Sequence, residues 1–326
     1  MTGTIPMRVR LSLSTLAAAL MIHALPNAAS AQGPDIVTDL PLIRDLTAQI
    51  VGELGDPQAL VRADDDPHHV QMRPSQVLAI ANADVVVWVG TAMTPWLHDV
   101  LEEHASASLE LLEVPGTVLR ESGHAHDDHD DHDDHDDHDD HDDHDDHDDD
   151  THASHSVDPH AFLNPANARV WLAAIASDLS TRDPANAATY AANLKAATAK
   201  IDALDAEISQ LLAPVAGHHF VTYHDAFGYF ADAYGIDIIG SLADSEASPP
   251  SAKRIAELTE TAADTPIACV FSEPGRPDIL GNRLAAKIGA GVAELDPLGA
   301  TLEDGPDTYV RVMRNLATEF ATCGNQ

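Results

Sequence analysis

Residues 126 to 149 of this 326-residue chain repeat one unit, His-Asp-Asp. Eleven of its twenty histidines lie between positions 124 and 155: His124, His126, His129, His132, His135, His138, His141, His144, His147, His152 and His155. Imidazole nitrogens and carboxylate oxygens are common ligands of divalent metals, so the tract reads as a metal-binding segment. An acidic solubilising spacer is the alternative, but a spacer does not need a histidine at every third position. The unit has almost nothing apolar to bury and repels itself, which predicts a solvated loop over about residues 121–157. A period of three also drifts around a helix of 3.6 residues per turn and leaves no constant face.

Outside the tract, four residues stand at corresponding places, just beyond predicted strand ends or in loops leading into helices. They are His68 in Asp66-Pro67-His68, His160 in Asp158-Pro159-His160, His224 in Tyr223-His224-Asp225, and Asp296 in Asp296-Pro297-Leu298-Gly299. Any one of them alone reads as a satisfied structural residue; four at equivalent places point to a second, ordered metal site. Parallel α/β sheets bind ligands in the crevice at the carboxyl ends of their strands. His68 and His160 from one lobe would then face His224 and Asp296 from another.

Such a site needs a frame, and the apolar pattern supplies one. Strands are predicted at 36–38, 59–62, 85–89 and 109–114, with helices at 41–51, 74–81 and 94–104. The second half repeats the theme, with strands at 220–223, 236–241, 267–272 and 292–295 and helices at 225–234, 250–262, 278–288 and 306–321. Strands alternating with helices at this spacing imply parallel sheets with helical crossovers. Between the halves, 184–212 is one helical run that opens on Asp183-Pro184 and stops at Pro214. Its length at 1.5 Å per residue would be about 43 Å, the reach of a rigid strut. The competing reading is a coiled-coil dimer helix with Leu194, Ile201, Leu204, Ile208 and Leu211 as its seam. The fold class is therefore α/β, with two Rossmann-like lobes at 32–180 and 214–326 joined by a long helix at 181–213.

The N-terminus reads as an export signal over 1–31. Arg8 and Arg10 form a basic start, 11–25 is an apolar run, and Ala29-Ser30-Ala31 fits the small-x-small cleavage rule, with the mature chain beginning near Gln32. Met7 is an alternative start. The apolar run, about fifteen residues, falls short of the roughly twenty that span a bilayer, so a soluble exported protein is expected. Two cysteines, Cys269 and Cys323, in an oxidising compartment favour a disulfide, and zinc ligation by so widely spaced a pair without CxxC is the weaker reading.

Losing Arg8 and Arg10 with the leader takes the formal charge from −37 to −39, and 17 of the acids lie in the tract. A surface of this sign excludes nucleic acid as a partner and favours cations.

In these segments the sequence resembles the ZnuA-type zinc-binding proteins, the extracytoplasmic receptors of ABC metal importers. The resemblance is carried, in order, by Asp66-Pro67-His68 with Arg73-Pro74-Ser75, by Ala83-Asp84-Val85-Val86-Val87-Trp88-Val89-Gly90, and by Asp158-Pro159-His160-Ala161-Phe162-Leu163-Asn164-Pro165. His224-Asp225-Ala226-Phe227-Gly228-Tyr229-Phe230, Cys269-Val270-Phe271-Ser272-Glu273-Pro274 and Asp296-Pro297-Leu298-Gly299 continue it. A His- and acid-rich loop ahead of His160 is a further likeness. The resemblance implies two α/β lobes with Zn2+ held between them by His68, His160 and His224, and Asp296 or a water as fourth donor. Some zinc-specific members carry glutamate before the first histidine, where this chain has Pro67. Manganese relatives carry a carboxylate where His224 stands, so His224 argues for zinc. His69 is expected to be exposed.

The function expected is periplasmic capture of zinc for the membrane permease of an ABC importer, by a monomer, with a periplasmic zinc chaperone as a further candidate partner and the tract as an accessory, weaker site. Manganese uptake and a free-standing zinc buffer are alternatives. A zinc hydrolase is a third, but neither HExxH nor Gly-x-Ser-x-Gly occurs, and Glu273 is the only obvious acid for it.

Overall fold

In the computed structural model, the described residues are 1, 3, 32–122, 157–243, 249–276, 279–303 and 305–325. The tract histidines and all but two residues of the expected leader lie outside them. Met1–Ser30 separates from one compact unit, Ala31–Gln326, to which everything below refers.

The first half runs β1 (Ile36–Thr38), α1 (Pro41–Val51), β2 (Gln58–Ala59), α2 (Pro74–Asn82), β3 (Val85–Trp88), α3 (His98–His104), β4 (Ser108–Glu110) and α4 (Pro165–Arg182). After α5 (Ala187–Leu212) come β5 (His219–Thr222), α6 (Gly228–Tyr234), β6 (Asp237–Ser241), α7 (Ala252–Asp264), β7 (Ile267–Ser272), α8 (Ile279–Ile288), β8 (Gly291–Glu294) and α9 (Thr308–Gly324). Each half builds a four-stranded parallel sheet, in the orders β2-β1-β3-β4 and β6-β5-β7-β8. The two orders are the same permutation, so the crevice at the strand reversal recurs in both lobes.

Alternation along the strands divides the core into layers. Val85 and Val87 of β3 turn to the inner core while Val86 and Trp88 join Ile80, Leu97 and Leu101 under α2 and α3. On β7, Cys269 and Phe271 turn inward while Val270 packs with Leu258 and Leu284 of α7 and α8. Both inner faces meet the same helical layer, so one hydrophobic cluster runs from Ile36 to Phe320 through both sheets. Continuous packing of this kind resists independent motion of the lobes.

The central helix is shorter and better tied than the sequence suggests. Pro184–Asn186 is a 3-10 turn, and the α-helix proper has 26 residues, about 39 Å at 1.5 Å per residue. Its buried residues Tyr190, Ala197, Ile201, Leu204, Ile208 and Leu212 repeat at helical spacing and pack against α1, α4 and α9. The positions that could have formed a coiled-coil seam are thus spent inside the chain: Ile201, Leu204 and Ile208 are buried, and Leu194 and Leu211 lie against the same core. Arg314 of α9 chelates Glu207, and Arg169 of α4 reaches Asp202 and Asp205, fixing α5 on two sides.

Other elements also depart from the sequence expectation. The 18-residue α4 is not predicted at all, although Asn164 caps it by accepting from Ala166 N, Pro165 opens it, and Ala168, Trp171, Leu172, Ile175, Ala176 and Leu179 mark its buried face. The expected helix at 94–104 opens as a 3-10 turn, Pro95–Leu97, and becomes α-helical only at His98. The 59–62 and 109–114 strands are cut to Gln58–Ala59 and Ser108–Glu110 because the chain turns at once into loops. The expected bond between Cys269 and Cys323 is present and pins α9 to β7. Among the described residues no helix is long and apolar enough to cross a membrane.

Candidate metal centre

The two Asp-Pro-His segments fold into the same local turn. Asp66 Oδ1 accepts from His68 N at 2.9 Å, and Asp158 Oδ1 accepts from His160 N at 3.0 Å, the aspartate side chain replacing a backbone acceptor. The turns then diverge. Asp158 Oδ1 also lies 2.8 Å from His160 Nδ1, whereas Asp66 Oδ2 lies 3.2 Å from Nδ1 of the exposed His69. His68 is instead fixed through its backbone, because Trp96 Nε1 donates to Pro67 O at 2.7 Å.

His224 leaves the end of β5 in a bend held by Thr222 Oγ1 and Ala226 N, both donating to His224 O. Glu273 follows the adjacent strand β7, and its Oε1 lies 2.6 Å from His224 Nδ1. Both side chains are buried. His160 and His224 therefore present the same arrangement: a carboxylate on Nδ1 that fixes the tautomer with the proton on that nitrogen and leaves Nε2 as the nitrogen for a metal. The sequence names Glu273 only as the obvious acid for the hydrolase alternative and does not connect it with His224; its place right after a strand adjacent to the one carrying His224 was the available signal.

Three imidazoles from different segments converge. Ring centroids are 5.6 Å apart for His68 and His160 and 5.4 Å for His160 and His224. Imidazoles bonded at about 2.0–2.1 Å around one tetrahedral zinc would have neighbouring centroids about 5.2 Å apart. Both measured pairs are near that figure. The trio as a whole is still wider than a formed site, since the described group of three donors within 4.8 Å of one another is the exposed set His98, Asp99 and Glu102 on α3. Closing on one ion requires a further approach of the rings.

Burial, and next the neighbouring His160, push the His68 pKa down to about 4. Near neutral pH this imidazole is uncharged, the form that binds metal.

Asp296 follows β8 and has a different occupation. Its Oδ1 accepts from Gly299 N and Ala300 N, and its Oδ2 from Thr301 N and Oγ1, at 2.7 to 2.9 Å. Four hydrogen bonds fill the four lone-pair sites of a carboxylate. To ligate a metal, Asp296 would have to give one of them up. It lines, with Asp64, Asp65, Asp66 and Glu273, a cavity of about 460 Å³ whose wall joins residues of both lobes. The acids around this opening favour cations over anions.

The family model for ZnuA, described as zinc-uptake complex component A, periplasmic, matches residues 36–323. The high-affinity zinc uptake system protein ZnuA of Paracoccus denitrificans (strain Pd 1222) is 42% identical over 324 residues, covering 97% of this chain and 98% of that one. A ZnuA crystal structure superposes with a TM-score of 0.71 at 25% identity, over 90% of this chain and 99% of its own. A ZnuA deletion mutant with zinc bound does so with 0.70 at 26% identity, over 90% and 98%.

Proposed function

Because the chain belongs to the ZnuA family of periplasmic zinc-uptake components, we propose that it captures Zn2+ between its lobes through His68, His160 and His224 and delivers it to the membrane permease of an ABC importer. The observation that carries this reading is the convergence of three imidazoles, two of them already oriented by buried carboxylates through Nδ1. Three neutral nitrogens suit a borderline-soft d¹⁰ ion better than they suit manganese, which favours oxygen. Glu273 is committed to His224 and is not free to serve as a hydrolase's base, which supports cargo binding over catalysis. The fourth donor is Asp296, after yielding one turn hydrogen bond, or a water.

On this reading the leader directs the chain to the periplasm and is cleaved near Ala31, and the His-Asp-Asp tract is an accessory site of many weak, exchangeable positions. Each of those positions must order part of a loop to bind an ion, so each holds zinc less firmly than the cleft.

Zinc affinity of the chain lacking residues 124–155, compared with the same chain carrying His224→Ala, tests the ligand set. The parent should retain one zinc through dialysis and the variant should lose it, because only two of the three nitrogens remain. Equal retention by both would sink the assignment.

A further inference from the structure

Arg120 is the last cation before the His-Asp-Asp tract, and no lysine or arginine follows until Arg169. Its backbone takes part in a closed ring of hydrogen bonds at the root of the tract. Asp158 N donates to Arg120 O at 2.8 Å, Arg120 N donates to Tyr229 Oη at 2.8 Å, and Tyr229 Oη donates to Asp158 O at 3.0 Å. One residue further out on each side, Glu121 and Val157 form an antiparallel bridge. A hydroxyl from α6, the helix that begins four residues after His224, thus closes the two ends of the tract against each other.

The Arg120 side chain spans the same junction. Its Nη1 lies 3.6 Å from Asp158 Oδ2, and its Nε donates to Asp232 Oδ2 on α6 at 3.1 Å; Asp225 adds a third negative charge nearby. The space for the guanidinium exists because residue 228 is glycine, where a Cβ would stand 2.0 Å from Nη1. Asp158 in turn is buried, and its other oxygen is the one that holds His160 N and Nδ1. A buried carboxylate left without a facing cation is costly and free to seek another partner.

We propose that Arg120 is a positioning residue of the zinc site: it holds the carboxylate that orients His160 while anchoring to the helix behind His224, and so fixes the separation of imidazoles contributed by the two lobes. This rests on reading His160 and His224 as zinc ligands. Arg120 touches no metal itself. Its effect passes through Asp158, and lysine could not replace it fully, since a point charge cannot face Asp158 and Asp232 with separate nitrogens.

The test is the affinity of the full chain for its first equivalent of zinc, read by competition with a chelator. Arg120→Met keeps the aliphatic stem and should weaken that equivalent about tenfold, the low end of the range for groups that orient metal-bound histidines. Asp232→Asn, at a side chain 67% exposed, should fold normally and weaken binding less, in the same direction. Asp158→Asn should weaken it as well, and adding Arg120→Met to Asp158→Asn should cost nothing further, because the second change acts through a contact already lost. Wild-type affinity in Arg120→Met, or additive losses in the double variant, would overturn the proposal. If Arg120→Met does not fold, Asp232→Asn decides: weakened binding supports the anchor and wild-type binding overturns it. His160→Ala is the control for the underlying reading, since a first equivalent held as tightly as in wild type would remove the ligand itself from the site.

Discussion

Replacing Glu273 with glutamine keeps the side chain's size and one acceptor oxygen while removing a negative charge 2.6 Å from His224 Nδ1. Both partners are buried, His224 at 4% exposure and Glu273 at 3%, so water does not make good the loss. A hydrogen bond to a charged group is worth about 1.5–3 kcal/mol net, against about 1 kcal/mol for a neutral pair. Glutamine brings a second penalty, because its amide can turn and donate to Nδ1, favouring the tautomer with the proton on Nε2 and closing that nitrogen to zinc. Carboxylate partners of metal-bound histidines typically contribute 10- to 100-fold in affinity, or about 1.4–2.7 kcal/mol. We expect Glu273→Gln to raise the zinc Kd of the chain lacking residues 124–155 within that range, measured at pH 7 against a chelator of known affinity. Glu273→Leu should cost more, since it leaves the Nδ1 proton buried without an acceptor. Zinc binding by Glu273→Gln indistinguishable from that of the parent would show that the carboxylate does not tune His224.

The depressed pKa of His68 makes a signed statement about stability. The metal-free folded state resists protonation that the unfolded chain accepts, so its contribution is full above about 6.5 and is lost as pH falls toward 4, at a cost of order 3 kcal/mol. His68→Ala should flatten that part of the denaturation-versus-pH curve, and a curve as steep as the parent's would refute the shift. Cys323→Ser opens a 54-residue separation and should destabilise the fold by up to about 4 kcal/mol in urea while leaving zinc affinity unchanged; a large loss of affinity would mean that the bridge shapes the site. In a zinc titration at stepped pH, the weak class attributed to the tract should vanish before the tight one, because the tract histidines are held less firmly against protons. Simultaneous loss would count against two kinds of site.

Much of this molecule was legible because its signals are local. Pro41 and Pro74 open helices, and Val85–Trp88 is buried along its whole length as a central parallel strand should be. The motif histidines could be picked out because Asp-Pro-His is a turn with a side chain at its end, and two copies of it carry His68 and His160. The groups that orient the histidines were less visible, since they are set by distance in space. Glu273 is 49 residues from His224, and Tyr229 is 71 residues from Asp158. Helix α4 escaped for another reason: Asn167, Ala168 and Ala176 interrupt its apolar face, and its identity comes from packing against α1 and α5. Asp296 illustrates the opposite hazard. Its Asp-Pro-Leu-Gly context marks a strand end correctly, yet the same carboxylate is what the following turn needs as a cap.

The coordination of a single bound ion is the most direct test. X-ray absorption at the zinc edge, on chain lacking residues 124–155 and loaded with one equivalent, should give three imidazoles and one further light donor at about 2.0–2.1 Å. One imidazole should disappear in His224→Ala, and none in His69→Ala. A spectrum with fewer than three imidazoles in the parent, or one that loses an imidazole on replacing His69, would contradict the three-histidine cleft.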